Sequence, residues 1–219
     1  QKGYPLVSVD YGKNKKEIII ILNKFLFSKD SKNDTTNWFI PINIKYSMNG
    51  KIYDEKILLE KQSRSFHLNG EVEWIFFNAN SNGFFRINYS KTLLDLLSKA
   101  INSGILPIER YTLLDDLWAT VLSGNLSASK FLDFIQNYEK EKDLDVWILL
   151  SSCLYSLDKL TNKNNKEIFV GKILKIINPL IEKFGYLPGK DDSPRLLELR
   201  GILIKIKANI CNDKKTIDY

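Results

Sequence analysis

The chain has 219 residues, of which 44% are hydrophobic and 26% charged, with a formal net charge of +6 and two cysteines. A chain of this size buries roughly 70% of its unfolded surface, so it is read as globular, as one large or two modest domains. No apolar run reaches the ~18 residues that a membrane span needs, and the longest, Ile18 to Leu22, is strand-sized. A secretory leader pattern is absent, and neither a membrane nor a disulfide framework is expected.

The positive charge does not single out nucleic acid. Lysines are spread over loops and helix faces, among them Lys13 to Lys16, Lys140, Lys142, Lys163, Lys166, Lys214 and Lys215, and they alternate with acids rather than forming an arginine-aromatic stripe. Cys153 and Cys211 stand in separate helical patterns far from any histidine at metal spacing, which suits buried thiols in a reducing, cytoplasmic compartment. The chain opens at Gln1 without methionine and runs directly into YPLVSVD, so it is expected to be a piece of a larger protein.

Residues 1 to 90 alternate apolar and polar with period two, the mark of half-buried strands. Val7 and Val9 belong to one strand and Ile18 to Phe27 to another, while Ile40, Ile42, Ile44 and Tyr46 alternate with Pro41, Asn43, Lys45 and Ser47. Pro41 predicts an edge strand or a bulge, since proline donates nothing to a ladder. Ser28 to Asn37 reads as a polar loop. Asn49-Gly50, Asn69-Gly70 and Asn82-Gly83 each predict a hairpin turn. About seven short strands then form an antiparallel β-sandwich. In its last segment, Trp74 to Tyr89, residues Phe85, Ile87 and Tyr89 face one way and Phe84, Arg86 and Asn88 the other.

From Lys91 the period becomes helical. The predicted stripes are Leu93, Leu94, Leu97 and Ile101, then Tyr111, Leu114, Trp118, Val121 and Leu122, with Pro107 at a first helical position and Gly124 at a left-handed stop. Ser127 caps a helix burying Phe131, Ile135 and Tyr138, and Asp143 and Asp145 precede one burying Trp147, Leu150, Leu154 and Leu157. A helix from about Lys166 to Phe184 should kink or break near Pro179 and stop at Gly185; Ser193-Pro194 starts another, with Leu196, Leu199, Leu203, Ile206 and Ile210. The expected architecture is a sandwich domain at 1–90 and an antiparallel helical array at 91–219, the beginning of an α-solenoid.

Residue chemistry assembles no catalytic site. The single histidine, His67, has no ligand partner at metal spacing. Asp115 and Asp116, adjacent on a helix, point about 100° apart and should not converge. Ser151-Ser152-Cys153 lacks a base, and Gly83 and Gly185 belong to no phosphate loop. Arg86 stands in a strand between aromatics, and burial there would require an acid, Asp115 or Asp116.

Five spaced segments resemble the C-terminal half of zinc metallo-aminopeptidases of the aminopeptidase N, puromycin-sensitive aminopeptidase and tricorn-interacting-factor type. Gln1, Gly3, Tyr4 and Pro5 resemble Q-x-G-[YF]-P, and Asn78 to Tyr89 resembles N-x-x-x-x-G-[FY]-[YF]-R-V-N-Y. Glu109-Arg110, Leu113 to Asp116 and Gly124 resemble D-R-x-x-L-x-D-D…G, with Glu109 in place of the first aspartate. Glu141, Asp143 and Trp147 resemble E-x-[DE]-Y-x-x-W, with Leu144 replacing the aromatic, and Phe184-Gly185-Tyr186 and Leu199-Arg200 resemble a later G-[WY]…L-R pair.

The resemblance implies a β-sandwich followed by the start of a HEAT-like helical domain. It places the zinc-binding H-E-x-x-H, the catalytic glutamate and tyrosine and the amine-binding G-x-M-E-N upstream of this chain, so no catalytic, cofactor-binding or metal residue is assigned here. The implied partners are the upstream catalytic domain and, through it, a peptide substrate, with this part serving as spacer and enclosing wall. From the residues alone, a free-standing adaptor that binds a protein or peptide stays open beside that reading.

Overall fold

The computed structural model describes residues 3–27 and 38–218; Gln1 and the polar stretch at 28–37 lie outside the described residues. Contacts divide the chain into two compact units, 1–126 and 127–219.

The first unit contains β1 (Tyr4–Tyr11), β2 (Glu17–Phe25), β3 (Ile40–Met48), β4 (Lys51–Leu59), β5 (Ser63–His67), β6 (Trp74–Phe77) and β7 (Arg86–Tyr89), then α1 (Lys91–Ala100) and α2 (Pro107–Leu122). The strands make two sheets, ordered β5-β2-β1-β7 and β4-β3-β6. Val7, Val9, Ile18, Ile20, Ile42, Ile44, Ile75 and Phe77 are buried, and each contributes about 1.5–3 kcal/mol on leaving water. The chain is thus β first and α afterwards, as the change of period indicates.

One pairing departs from the antiparallel expectation: β7 runs parallel to β1, with Leu6 opposite Arg86 and Val9 opposite Tyr89. Strand β7 follows β6 of the other sheet, so no hairpin fixes its direction. Of the three Asn-Gly pairs, only Asn49-Gly50 is a two-residue hairpin turn, with φ of 54° and 69° between β3 and β4. Asn69-Gly70 instead links β5 and β6, which lie in different sheets.

Pro41 does not mark an edge strand, because β3 is the central strand of its sheet. It pairs with β4 from Ile40 to Met48 and with β6 only from Ile44 to Ser47. Asn43 accepts from Asn78 through its backbone carbonyl, so the odd residues of β3 turn their backbone groups toward β6. Pro41 would present its missing N–H on that side, beyond the last residue that β6 supplies. All of β6, Trp-Ile-Phe-Phe, is buried, as a strand covered on both faces requires.

Helix α1 is capped by Ser90 and buries Leu93, Leu97 and Ala100. Helix α2 begins with Pro107 at its first position, but its buried face is not the expected stripe: Glu109, Leu113, Leu114, Asp116, Leu117 and Ala119 turn inward, and Leu122 is exposed. Two carboxylates take positions that an apolar count assigns to the outside.

The second unit holds α3 (Ala128–Phe134) with a 3-10 turn at 135–138, α4 (Leu144–Leu160), α5 (Lys163–Phe184), α6 (Pro194–Lys205) continued by a π turn at 206–210, and α7 (Lys214–Ile217). Helix α6 packs on α4 and α5, and α5 covers the turn after α3. Ser127, Asp143 and Ser193 cap α3, α4 and α6, and Phe131, Tyr138, Trp147, Leu150, Leu203 and Ile206 are buried without residual exposure. Helix α5 runs unbroken through Pro179 and stops at Gly185, φ 70°. Lys175, whose carbonyl loses its donor to the proline, is exposed, so water can replace the missing bond.

Candidate functional site

A polar network in the first unit is built from Asn78 to Tyr89 and the first turns of α2. Asn78 adopts a left-handed φ of 77°, tolerated by a short amide side chain. Its Oδ1 accepts from the Gly83 N–H at 2.7 Å, and its Nδ2 donates to the Gly83 carbonyl at 3.1 Å. This two-way bridge closes the loop that an Asn82-Gly83 hairpin turn was expected to close. Positive φ falls on Asn78, Asn80 and Ser81, not on Gly83. Glycine is needed at 83 for space, since an added Cβ would stand 2.1 Å from the ring of Phe85.

Tyr89 then joins the two sheets. From β7 its hydroxyl accepts the Phe77 N–H at 2.9 Å and lies 3.3 Å from the Phe77 carbonyl, to which it donates. Phe77 sits on the edge of β6 away from β3, where backbone groups would otherwise stay unpaired. Burial raises the Tyr89 pKa well above the ordinary tyrosine value, so the hydroxyl keeps the proton that it donates.

Arg86 is pinned by two acids. Its Nη1 donates to Asp115 Oδ2 at 2.8 Å, Asp116 Oδ1 at 3.1 Å and the Asp115 carbonyl at 3.2 Å, and its guanidinium lies over the rings of Tyr4 and Phe25 at 5.6 and 5.2 Å. The adjacent aspartates therefore do converge, on one nitrogen. Asp116 points inward and Asp115 sideways, and Arg86 is long enough to fill the angle between them. Asp116 Oδ2 also accepts the Ile87 N–H at 3.0 Å. Burial pushes the Asp116 carboxyl up to about 7, against the opposing pull of the Ile87 N–H and the Arg86 charge. Burial also works against the Arg86 charge, but the two aspartates outweigh it and its pKa lies above the usual value.

Sequence reasoning missed a second buried ion pair. Glu109, fully buried, accepts from Lys45 Nζ at 2.5 Å and the Leu106 N–H at 2.8 Å through Oε2, and from the Asn80 N–H at 3.0 Å through Oε1. One carboxylate thus ties β3, the loop after β6 and the start of α2. Lys45 also lies 5.8 Å from the centre of the Trp74 ring. The spacing contained a signal: Glu109, Leu113 and Asp116 stand at i, i+4 and i+7, on one face of a helix.

The second unit uses its motif residues in the same way. Trp147 donates its indole N–H to the Glu141 carbonyl at 2.9 Å, and Glu141 Oε1 accepts the N–H groups of Lys142 and Asp143, fixing the start of α4. Arg200 donates to the Phe184 carbonyl at the end of α5 and to Asp192 at 2.5 Å.

The remaining candidates do not assemble. His67 is largely exposed, 3.9 Å from Glu17, and among the described residues no group of three His, Cys, Asp or Glu could hold a metal ion. Ser152 is exposed and bonds back to the Ile148 carbonyl, while Cys153 is buried. Neither cysteine is in a disulfide, and burial raises the Cys211 thiol to about 11, which keeps it protonated and poorly nucleophilic. No described helix is long and apolar enough to cross a membrane.

A family model described as the ERAP1-like C-terminal domain matches residues 74–219, from the first residue of β6 onward. The chain belongs to that family. The chain is also similar to part of several longer proteins, aminopeptidases among them. It is 23% identical over its entire length to the puromycin-sensitive aminopeptidase of Caenorhabditis elegans, covering 24% of that protein. It is 29% identical over 97% of its length to the alanine/arginine aminopeptidase of Saccharomyces cerevisiae, again covering 24% of the relative. It is 29% identical over 85% of its length to the thyrotropin-releasing hormone-degrading ectoenzyme of Mus musculus, covering 19% of it. The chain thus spans only about a fifth to a quarter of the length of these relatives, and it corresponds to their C-terminal region.

Proposed function

We propose that this chain is the non-catalytic C-terminal part of a zinc-dependent aminopeptidase that removes N-terminal residues from peptides. The observation that carries this reading is the structural use of the motif residues: Arg86, Glu109 and Asp116 hold α2 onto two sheets, while Asn78 and Gly83 close the loop before β7 and Tyr89 joins β7 to β6. Among the described residues no group of three His, Cys, Asp or Glu could hold a metal ion, so this reading assigns the zinc to the upstream catalytic domain. When bound there it would polarise the scissile carbonyl and activate water. The role of this part is to space and enclose: a rigid sandwich, 1–90, and a HEAT-like helical domain, 91–219, that limit which peptides reach the metal in a cytoplasmic enzyme.

The test compares the 219-residue chain with the intact parent on aminoacyl chromogenic substrates in the presence of zinc. The parent is expected to turn over and the chain alone to be silent. Zinc-dependent turnover by the chain alone overturns the assignment, as does a parent that lacks aminopeptidase activity.

A further inference from the structure

We propose that the open edge of β4 is a homodimer interface, at which the strand pairs antiparallel with β4 of a second copy of this chain about a two-fold axis at Glu55. Strand β4 ends its sheet, and it pairs with β3 from Lys51 to Leu59 in unbroken register. It therefore has no bulge, and its sequence holds no proline, two of the devices by which sheet edges are blunted against pairing.

The direction of its free backbone groups follows from β3. The carbonyls of Asn43 and Ser47 accept from the N–H groups of Asn78 and Glu73, so the odd residues of β3 face β6 and the even ones face β4. Ile44 lies opposite Glu55 and Tyr46 opposite Tyr53, which sends the N–H and C=O groups of Ile52, Asp54, Lys56 and Leu58 to the open side. The Leu58 carbonyl accepts there from Arg64 Nη1 at 2.7 Å. All four of these residues are exposed, Ile52 by 55% and Leu58 by 42%.

The occupant is a second copy because the strand complements itself. An axis at Glu55 sets Asp54 opposite Lys56 of the copy and Ile52 opposite its Leu58, each twice, at hydrogen-bonded positions. On the other face of the ribbon Tyr53 meets Ile57. Glu55 meets its own twin, but the Tyr46 hydroxyl donates to its Oε1 at 2.7 Å and draws the carboxylate back over β3. Sliding the copy by two residues would set Asp54 against Asp54 or Lys56 against Lys56, so charge selects one register. A two-fold contact of this kind is closed and stops at two chains.

Light scattering of the 219-residue chain over a concentration series tests this. A species of twice 25.4 kDa is expected, with a dissociation constant on the order of 1–100 µM, as suits a small interface. Asp54→Lys and Lys56→Asp each turn both attractive pairs into repulsive ones and should raise that constant by about tenfold or more, and combining them should restore it. Both positions are exposed, so the circular dichroism of the fold should stay unchanged in all three variants. Glu55→Cys, on the axis, should form a disulfide with its own copy, whereas Ile52→Cys should not. A chain that is monomeric at about 1 mM overturns the proposal. So does a dimer that both charge reversals leave intact, a double variant that fails to recover, a crosslink at Ile52→Cys in place of Glu55→Cys, or an assembly that grows beyond two chains.

Discussion

Asp116 on α2 accepts the backbone N–H of Ile87 on β7 at 3.0 Å. Strand β7 is the last of its sheet, and this bond occupies an edge group that another chain could otherwise pair with. Replacing Asp116 with Ala leaves that N–H buried without a partner and should cost about 1–3 kcal/mol. Asp116→Asn keeps an acceptor oxygen and should stay within about 1 kcal/mol of the unsubstituted chain at pH 4, where the carboxyl is protonated. Urea denaturation of both variants measures the difference.

The same carboxyl gives stability a pH dependence. Its pKa is raised from 3.8 to about 7 in the folded chain, chiefly by burial. A raised folded value means that its contribution is complete below the unfolded pKa and is lost as pH rises toward 7. Over that window this group should remove on the order of 4 kcal/mol. Unfolding free energies measured between pH 4 and pH 7 should show the decline, and Asp116→Asn should flatten it. An identical profile in the variant would assign the titration to another group.

Glu109 and Lys45 should behave as a pair. Glu109→Ala strands a buried ammonium and unpairs the N–H groups of Leu106 and Asn80, at an expected cost of about 3–5 kcal/mol. Adding Lys45→Met removes the stranded charge, so the double variant should be more stable than Glu109→Ala alone by about 1 kcal/mol or more. A thermodynamic cycle over the four proteins measures the coupling, and simple additivity would contradict the pairing.

Two glycines should respond differently to alanine. At Gly83 the new Cβ would come 2.1 Å from the buried Phe85 ring, which predicts about 1–3 kcal/mol of overpacking and a loosened Asn78 bridge. At Gly50 nothing lies within 4 Å and only the φ of +69° opposes alanine, so about 1 kcal/mol is expected. Thermal unfolding of the two variants ranks them.

The fold was legible where side-chain type and burial agree. Val7, Ile20, Ile42 and Ile87 mark strands by period, Pro107 and Ser193-Pro194 mark helix starts, and Gly124 and Gly185 mark stops. Reading failed where position overrides type. Asn82-Gly83 has hairpin composition, but Asn78, five residues upstream, holds Gly83 and sets the loop. An apolar count turned α2 toward Tyr111 and Trp118, whereas Glu109 and Asp116 face inward because Lys45, the Ile87 N–H and Arg86 meet them there. Arg86 with Asp115 or Asp116 was readable from the need to neutralise a buried charge. Lys45 was not, since nothing in an alternating strand distinguishes a polar residue facing water from one that a later helix will cover.

The parallel pairing of β1 with β7 has a consequence for the order in which the chain acquires structure. Tyr4–Tyr11 is made some eighty residues before its second neighbour, Arg86–Tyr89, and the acid that secures that neighbour, Asp116, later still. Contacts so distant along the sequence form slowly. During synthesis the side of β1 that will meet β7 lacks that partner until Arg86–Tyr89 has emerged, which leaves this strand exposed to mispairing and to capture by chaperones.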